Sequence, residues 1–505
     1  MRVPRLVEWT LNAYARLETT FARIDGLEGA AGILDWDART TMPPGAAEGR
    51  GEQLAALKVM SHGLLVADET LELLTAAMGD GELDGWERAN LSEMARLYAR
   101  ASAVPSDLVE AVEIAVSRSE QAWRAAREAA DFATFLPHLR TVLSLKVRVG
   151  EAIGQSLGLS PYDALMDGYD PGMSSARVDA IFGTVAPRIP DLIEAALEAQ
   201  GGAAAAYPGT FPVEGQRRLA LVLMDALGFD KARGRLDVSL HPFCGGAVDD
   251  VRITTRYRED GFLGSLMGTL HEVGHALYEQ GLPAPWRRQP VGKARGMTLH
   301  ESQSLAVEMQ ACRTRGFAEF LAPLLREHLG PDASGIEPEG LYKLLTRVEP
   351  GFIRVDADEI TYPAHVLLRY DLERAMVTGE LDPADLPGAF DDGMRELLRV
   401  RVPDDRLGCL QDIHWSTGDF GYFPTYSLGA MAAAQLFRAA KDALPDLERS
   451  IASGSFEPLV GWMRENVHSK GASASTHAIL EKATGAPLGP DAYLAHLERR
   501  YVTER

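Results

Sequence analysis

Apolar residues recur every three or four positions along much of the chain, which predicts a predominantly helical protein. The clearest helical segments are residues 86–104, 132–159 and 175–200. Residues 250–257 instead alternate and are rich in β-branched side chains, as is typical of a strand. No internal repeat or firm domain boundary interrupts the pattern. We therefore expect an all-α fold with a small strand element, formed as one large domain over residues 1–505.

The composition indicates a folded protein and argues against some classes of function. Hydrophobic residues make up 46% of the 505 positions, enough for a substantial interior. The formal net charge is −21 and no run is dense in lysine or arginine, which disfavours nucleic acid as a partner because phosphates attract basic faces. No apolar stretch reaches the roughly 18 residues of a membrane span, so a membrane is not an expected partner either.

The cysteines and the N-terminus favour a cytoplasmic protein. Cys244, Cys312 and Cys409 are far apart, odd in number and without a metal-binding spacing, so we interpret them as small buried apolar residues. The first residues lack a continuous apolar segment and do not resemble a secretory signal.

The strongest chemical signal is the segment His-Glu-Val-Gly-His at residues 271–275. On a helix, His271 and His275 lie one turn apart on the same face and can share one Zn²⁺. Glu272 is then placed to act as general base toward a water that the metal activates. Gly274 costs about 1 kcal/mol relative to alanine within a helix, and its small size would allow close approach of another element.

A catalytic zinc site needs a third protein ligand, and Glu301 is the best candidate. It lies in His-Glu-Ser-Gln at residues 300–303, which begins a further stretch of helical periodicity. A glutamate on a second, packed helix would complete a His₂Glu set. Without the first motif, Glu301 would be interpreted as a surface residue.

Six segments in this order resemble sequence elements of the thermostable carboxypeptidase Taq family of metallocarboxypeptidases. The resemblance extends from about residue 30 to about residue 435. The six are HPF at 241–243, DVRIT at 250–254, HEVGH at 271–275, HESQ at 300–303, IRVDAD at 353–358 and GCLQDIHW at 408–415.

The resemblance implies a mostly helical fold with a deep substrate groove, related to angiotensin-converting enzyme and neurolysin. It also implies the release of single amino acids, with broad specificity, from peptides that have a free C-terminus. A homodimer is implied, with one Zn²⁺ per chain that Co²⁺ can replace.

Two arginines in these elements are candidates for binding the substrate's terminal carboxylate, because a guanidinium matches its two oxygens. Arg354 is the first candidate and Arg252 the second. A structural role is the alternative for both, through pairing with a nearby acid: Asp356 or Asp358 for Arg354, and Asp249 or Asp250 for Arg252.

Further candidates for substrate binding are a histidine and two tyrosines in a segment rich in glycine and aromatic residues. His414, Tyr422 and Tyr426 could donate to the oxyanion formed during hydrolysis, or could have a purely structural role. His241 could contact the substrate backbone or only support the groove.

The group that orients the metal-binding histidines is left open by the sequence. Some related His₂Glu enzymes have an aspartate four residues after the ligand glutamate, but Leu305 occupies that position here. Asp358 and Glu359 are two possibilities.

Two other functions compete with a carboxypeptidase. An endopeptidase or dipeptidyl carboxypeptidase would use the same zinc chemistry in a longer groove. A catalytically silent peptide-binding scaffold is disfavoured, because such a protein would not need Glu272 as a general base.

Overall fold

A computed structural model of the protein describes residues 12–202 and 207–504. Helices form most of these residues, and a three-stranded sheet accompanies them, which confirms the predicted fold class. Within the same ranges, no helix is both long and apolar enough to cross a membrane. The first residues, used above to argue against a secretory signal, lie outside the described residues.

The helices that precede the sheet are α1 (Ala13–Thr40), α2 (Ala47–Leu65), α3 (Asp68–Met78), α4 (Gly85–Ala103), α5 (Ser106–Ala129), α6 (Phe132–Leu157), α7 (Pro161–Met166), α8 (Ser175–Val185), α9 (Ile189–Gln200) and α10 (Val213–Leu227). We call the first four of these helices, α1 to α4, the N-terminal cap.

The helices that follow the sheet carry most of the motif residues. They are α11 (Leu263–Gly281), α12 (Gly296–Leu305), α13 (Arg315–His328), α14 (Pro338–Leu345), α15 (Tyr362–Thr378), α16 (Leu386–Leu398), α17 (His414–Thr417), α18 (Pro424–Ala443), α19 (Leu447–Ala452), α20 (Glu457–Asn466), α21 (Thr476–Thr484) and α22 (Asp491–Glu498).

The predicted helices over residues 86–104 and 132–159 are confirmed as α4 and α6. The single helix predicted over residues 175–200 is wrong. Helix α8 ends at Val185, a 3₁₀ turn occupies Ala186–Arg188, and α9 begins at Ile189. Pro187 and Pro190 cause the break, because neither has a backbone N–H to continue the ladder of helical hydrogen bonds.

The sheet has the order β1-β3-β2, with β1 at Gly234–Val238, β2 at Cys244–Ala247 and β3 at Asp250–Thr255. Strand β3 pairs in parallel with β1 and antiparallel with β2. The predicted strand at residues 250–257 is confirmed as β3, two residues shorter. Sequence analysis missed β1 and β2, and β2 contains two glycines that weaken any strand pattern.

The N-terminal cap has an apolar cluster of its own, separate from the main core that contains α11 and α12. Its contact with the body involves glycine. A Cβ added to Gly32 of α1 would lie 2.5 Å from the carbonyl oxygen of Gly246 in β2. Trp86 of α4 also stacks on Trp286 of the body, with ring centroids 5.6 Å apart. The cap therefore packs against both the sheet and the segment that follows α11.

Two glycines bring α11, α12 and α18 into close contact. A Cβ at Gly274 of α11 would lie 2.5 Å from Cα of Ser304 in α12, which confirms the close approach expected at that glycine. A Cβ at Gly429 of α18 would lie 2.7 Å from Cβ of Glu301 in α12. Helix α12 is thus held between two neighbours at nearly backbone distance.

Replacement of Gly274 by alanine should destabilise the protein, because the obstructing atoms belong to the backbone of α12 and cannot rotate away. We expect Gly274→Ala to lower the free energy of unfolding by about 1–3 kcal/mol, measured by chemical denaturation. Gly461→Ala is the matched control, since Gly461 lies inside α20 with nothing within 4 Å of an added Cβ. That control should be at least as stable as the parent. Equal stability of Gly274→Ala and the parent would contradict the argument.

Candidate metal centre

Helices α11 and α12 bring the three predicted ligands together. The Nε2 atom of His275 lies 3.5 Å from one carboxylate oxygen of Glu301, and Nε2 of His271 lies 3.9 Å from the other. The possible ligand atoms of all three residues lie within 4.8 Å of one another. Zinc bonds of about 2.0–2.2 Å in a tetrahedron separate ligand atoms by about 3.4 Å, so this set fits a zinc-sized cation.

The other ring nitrogens of the two histidines have protein partners that fix the ring orientations. Nδ1 of His271 lies 3.0 Å from a carboxylate oxygen of Glu308, and Nδ1 of His275 lies 3.1 Å from the carbonyl oxygen of His300. Each Nδ1–H therefore donates outward, and Nε2 is the nitrogen that faces Glu301 and becomes a ligand once it is deprotonated. This is the arrangement that metal-binding histidines require.

Glu308 reaches His271 because the chain departs from α-helical geometry after α12. Ala306–Ala311 form a π-helical turn, and Glu308 lies within it. Arg313 binds the other carboxylate oxygen of Glu308 at 2.8 Å and holds it in place. The sequence pattern does not point to Glu308, because regular helical spacing places Leu305, and not Glu308, one turn after Glu301.

Neither of the two acids proposed from the sequence orients a ligand histidine. Asp358 instead accepts hydrogen bonds from the backbone N–H groups of Glu349, Ile360 and Thr361. Glu359 is fully buried and pairs with residues of the C-terminal helical segment, His496, Arg500 and Tyr501. Both possibilities are therefore wrong, and both residues stabilise the fold elsewhere.

The centre contains an excess of buried negative charge. Glu272, Glu301 and Glu308 are all buried, and burial raises the pKa of Glu272 to about 7 despite the opposing effect of His271. Burial lowers the pKa of His271, but the nearby carboxylates, Glu301 foremost, outweigh it and raise that pKa to about 10. A site of this kind favours a cation, because burying carboxylates without a counter-charge is costly.

His414, Tyr422 and Tyr426 form a wall of aromatic rings next to Glu301. The ring of His414 lies 3.2 Å from the hydroxyl of Tyr426 through Nε2, and its centroid lies 5.6 Å from that of Tyr422. Burial is the main cause of the raised pKa of both tyrosines, and the Glu301 charge adds to it. The tyrosine hydroxyls thus stay protonated and remain hydrogen-bond donors.

Arg354 lies behind this wall and pairs with an acid far away in sequence. Its Nε and Nη2 atoms lie 3.0 and 2.9 Å from Asp412, and its Nη1 donates to the hydroxyl of Tyr362 at 3.1 Å. Asp412 also accepts from the buried Arg369. The pairing of Arg354 with Asp356 or Asp358 considered above is not seen, and two buried arginines share one carboxylate.

Arg252 and His241 lie on the sheet side of the site. Arg252 pairs with Asp250, at 2.9 and 2.7 Å, and its guanidinium lies 4.6 Å from the ring centroid of Trp36 in the cap. One of the structural alternatives for Arg252 is therefore observed. His241 is exposed, in the loop between β1 and β2. Its neighbour Pro242 packs against Gly268 of α11, one turn before the first ligand histidine.

Two histidines one turn apart, an adjacent glutamate and a third carboxylate from a neighbouring helix are typical of metallopeptidases. Residues 16–501 match the family of the Carboxypeptidase Taq (M32) metallopeptidases, and the chain belongs to that family. The family prediction made from the sequence is confirmed. The protein is accordingly a metal-dependent carboxypeptidase that acts on peptides.

Similar proteins cover almost the whole chain. Thermostable carboxypeptidase 1 of Thermus thermophilus is 38% identical over 94% of this chain and 96% of its own. The protein of the same name from Pyrococcus furiosus is 35% identical over 95% and 97%. Among solved structures, metallocarboxypeptidase 1 of Trypanosoma cruzi has a TM-score of 0.95 and 40% identity, covering 97% of this chain and 99% of its own.

Removal of the Glu308 carboxylate charge should weaken metal binding without removing a ligand. We expect Glu308→Gln to raise the metal dissociation constant about 10- to 100-fold, measured by competition with a chromophoric chelator. Glu279→Gln is the matched control, because Glu279 binds His300, a histidine outside the ligand set, at 2.9 Å. Equal metal affinity of the two variants would exclude an orienting role for Glu308.

Proposed function

We propose that the protein is a zinc-dependent carboxypeptidase that releases single amino acids of broad chemical type from peptide C-termini. The proposal rests foremost on the cluster of His271, His275 and Glu301, with Glu272 buried beside it. One Zn²⁺ per chain is the proposed metal, because two imidazoles and one carboxylate are a catalytic zinc set, and Co²⁺ is a possible substitute.

Glu272 is the proposed general base. Zinc held by the three side chains would supply Lewis acidity toward water and toward the scissile carbonyl. Glu272 takes a proton from the attacking water and passes it to the leaving amine. Its burial supports this role, because the raised pKa makes the carboxylate a stronger base than an exposed glutamate.

His414, Tyr422 and Tyr426 are proposed to donate hydrogen bonds to the oxyanion. Their adjacency to Glu301 supports this role, since a carbonyl beside the metal would lie next to the same wall. The contact between Nε2 of His414 and the hydroxyl of Tyr426 limits the motion of both side chains, and when Nε2–H donates in it the Tyr426 proton stays available to the oxyanion. Donors that are fixed before the reaction need no rearrangement in the transition state.

Arg354 is the preferred site for the substrate's terminal carboxylate, with Arg252 second. Arg354 and Arg369 share Asp412, which leaves one buried positive charge without its own acid among these three. An incoming carboxylate would balance that charge. Arg252 is satisfied by both oxygens of Asp250, so it has less to gain. His241, being exposed, is proposed to contact a more distant part of the substrate backbone.

A homodimer, a cytoplasmic location and a single domain over the whole chain stay predictions. The first follows from the family resemblance.

Substitution of Glu272 by glutamine should separate metal binding from catalysis. Glu272→Gln keeps the three proposed ligands but loses the base, so it should retain zinc and lose turnover by about three orders of magnitude or more. Metal content by elemental analysis and hydrolysis of a blocked dipeptide are the two measurements. Activity close to the parent's would refute the proposed base, and loss of metal would show that Glu272 is needed for the site itself.

A free substrate C-terminus should be required, and Arg354 should be responsible. A blocked dipeptide with a free carboxylate should be hydrolysed at least about 100-fold faster than its C-terminal amide, since a buried charged hydrogen bond contributes several kcal/mol. Arg354→Gln should reduce this ratio strongly, and Arg252→Gln should reduce it less. Equal rates for acid and amide with the parent enzyme would instead favour an endopeptidase.

A further inference from the structure

A charged cavity of about 250 Å³ lies beside the C-terminal half of α11, apart from the three proposed metal ligands. Strand β2 and the segment of residues 282–293 form its other walls. Its lining contains more basic than acidic side chains, although the chain as a whole has a net charge of −21. The charged residues are Arg233, Arg287, Arg288, Lys293, Asp249 and Glu279.

The basic side chains of this cavity are only partly neutralised by its own acids. Arg233 and Arg287 share Asp249, at 2.8 and 3.2 Å. Arg288 donates only to a backbone carbonyl, that of Ala22 in the cap, at 3.3 Å. Arg287 and Arg288 are both exposed to solvent, so a ligand can reach them. Lys293 pairs with Asp25 of the cap. Arg288, which has no acidic partner among the described residues, and Arg287, which shares one, are therefore the side chains available to a carboxylate.

The cavity adjoins the metal centre and extends away from it. His300 lines the cavity, and its ring stacks on the ligand His275 with centroids 4.6 Å apart. Glu279, which also lines it, follows Glu272 by seven residues on the same helix. At 1.5 Å per residue this places that part of the cavity about 10 Å along α11 from the general base.

We propose that this cavity is a substrate subsite that binds the side chain of an aspartate or glutamate located three or four residues before the scissile bond. A carboxypeptidase has a single substrate residue on the C-terminal side of that bond, which is too short to span about 10 Å. An extended peptide of about 3.3 Å per residue crosses the distance in three residues on the other side. This inference rests on the function proposed above.

The walls of the cavity are fixed by packing on the cap. Strand β2 lines it, and Gly246 of that strand lies against Gly32 of α1. The segment that carries Arg287 and Arg288 is held from both sides. Trp286 stacks on Trp86, and Gln289 binds the side chain of Asn90 at 3.1 Å. The backbone that carries the two arginines is therefore fixed before a carboxylate binds, which reduces the entropy lost on binding.

The test uses N-acetylated hexapeptides with the same C-terminal dipeptide and a single glutamate or glutamine placed at each remaining position. For the parent enzyme, kcat/KM should favour glutamate over glutamine about threefold to tenfold at the third or fourth residue before the scissile bond, mainly through KM. The preference should be smaller at the second residue before the bond. It should also decrease as the salt concentration rises.

A variant with Arg287→Gln and Arg288→Asn should bring the ratio at that position close to one. Asparagine is chosen because Arg288 has a φ of 64°, a conformation that asparagine tolerates. Arg258→Gln is the matched control, since Arg258 is an exposed arginine that pairs with Asp260 and does not line the cavity. It should keep the parental ratio.

Two results would overturn the inference. One is a glutamate preference that is absent, or equal at every position, in the parent enzyme. The other is a preference that survives in the double variant. Failure of the proposed function would look different, because the parent would then release no C-terminal residue even from the glutamine peptides.

Discussion

The near contact of helix backbones at Gly274 and Gly429 is the constraint on which the rest of the site depends. A glutamate side chain is short, so Glu301 reaches the two imidazoles only because α12 lies against α11 without an intervening side chain. The same packing fixes α18 against the other side of α12, and with it Tyr426. Ligands and aromatic wall thus belong to one rigid unit, whose packing tolerates little extra volume.

Charge is distributed unevenly across this unit. Glu272, Glu301 and Glu308 are an acidic group on one side, and Arg354 and Arg369 around Asp412 are a basic group on the other. Neither group is balanced internally. A divalent metal would compensate the first, and a substrate carboxylate would compensate the second. Stability of the empty protein and affinity for both ligands are therefore opposing demands on the same buried residues.

The sequence predicted those features that depend on local spacing. His271 and His275 one turn apart, the strand around Arg252 and the close approach at Gly274 all follow from residues near one another in the chain. It did not predict contacts set by tertiary packing. Proximity in sequence suggested Asp356 or Asp358 as the ion-pair partner of Arg354. The observed partner is Asp412, which lies in another of the six family motifs. The basic cavity could not be predicted from the sequence for the same reason, since Arg233 and Arg287 are more than fifty positions apart.

The π-helical turn at Ala306–Ala311 has a consequence for how this region can vary. A π turn is an α-helix that accommodates one additional residue, and each residue in an α-helix turns the chain by about 100°. Deletion of a single residue there would restore regular helix but rotate Glu308, Arg313 and the start of α13 together. The helical register of this segment, and not only the identity of its side chains, determines which carboxylate faces His271. Changes of length in this segment should therefore be far less tolerated in functional variants than substitutions of its apolar residues.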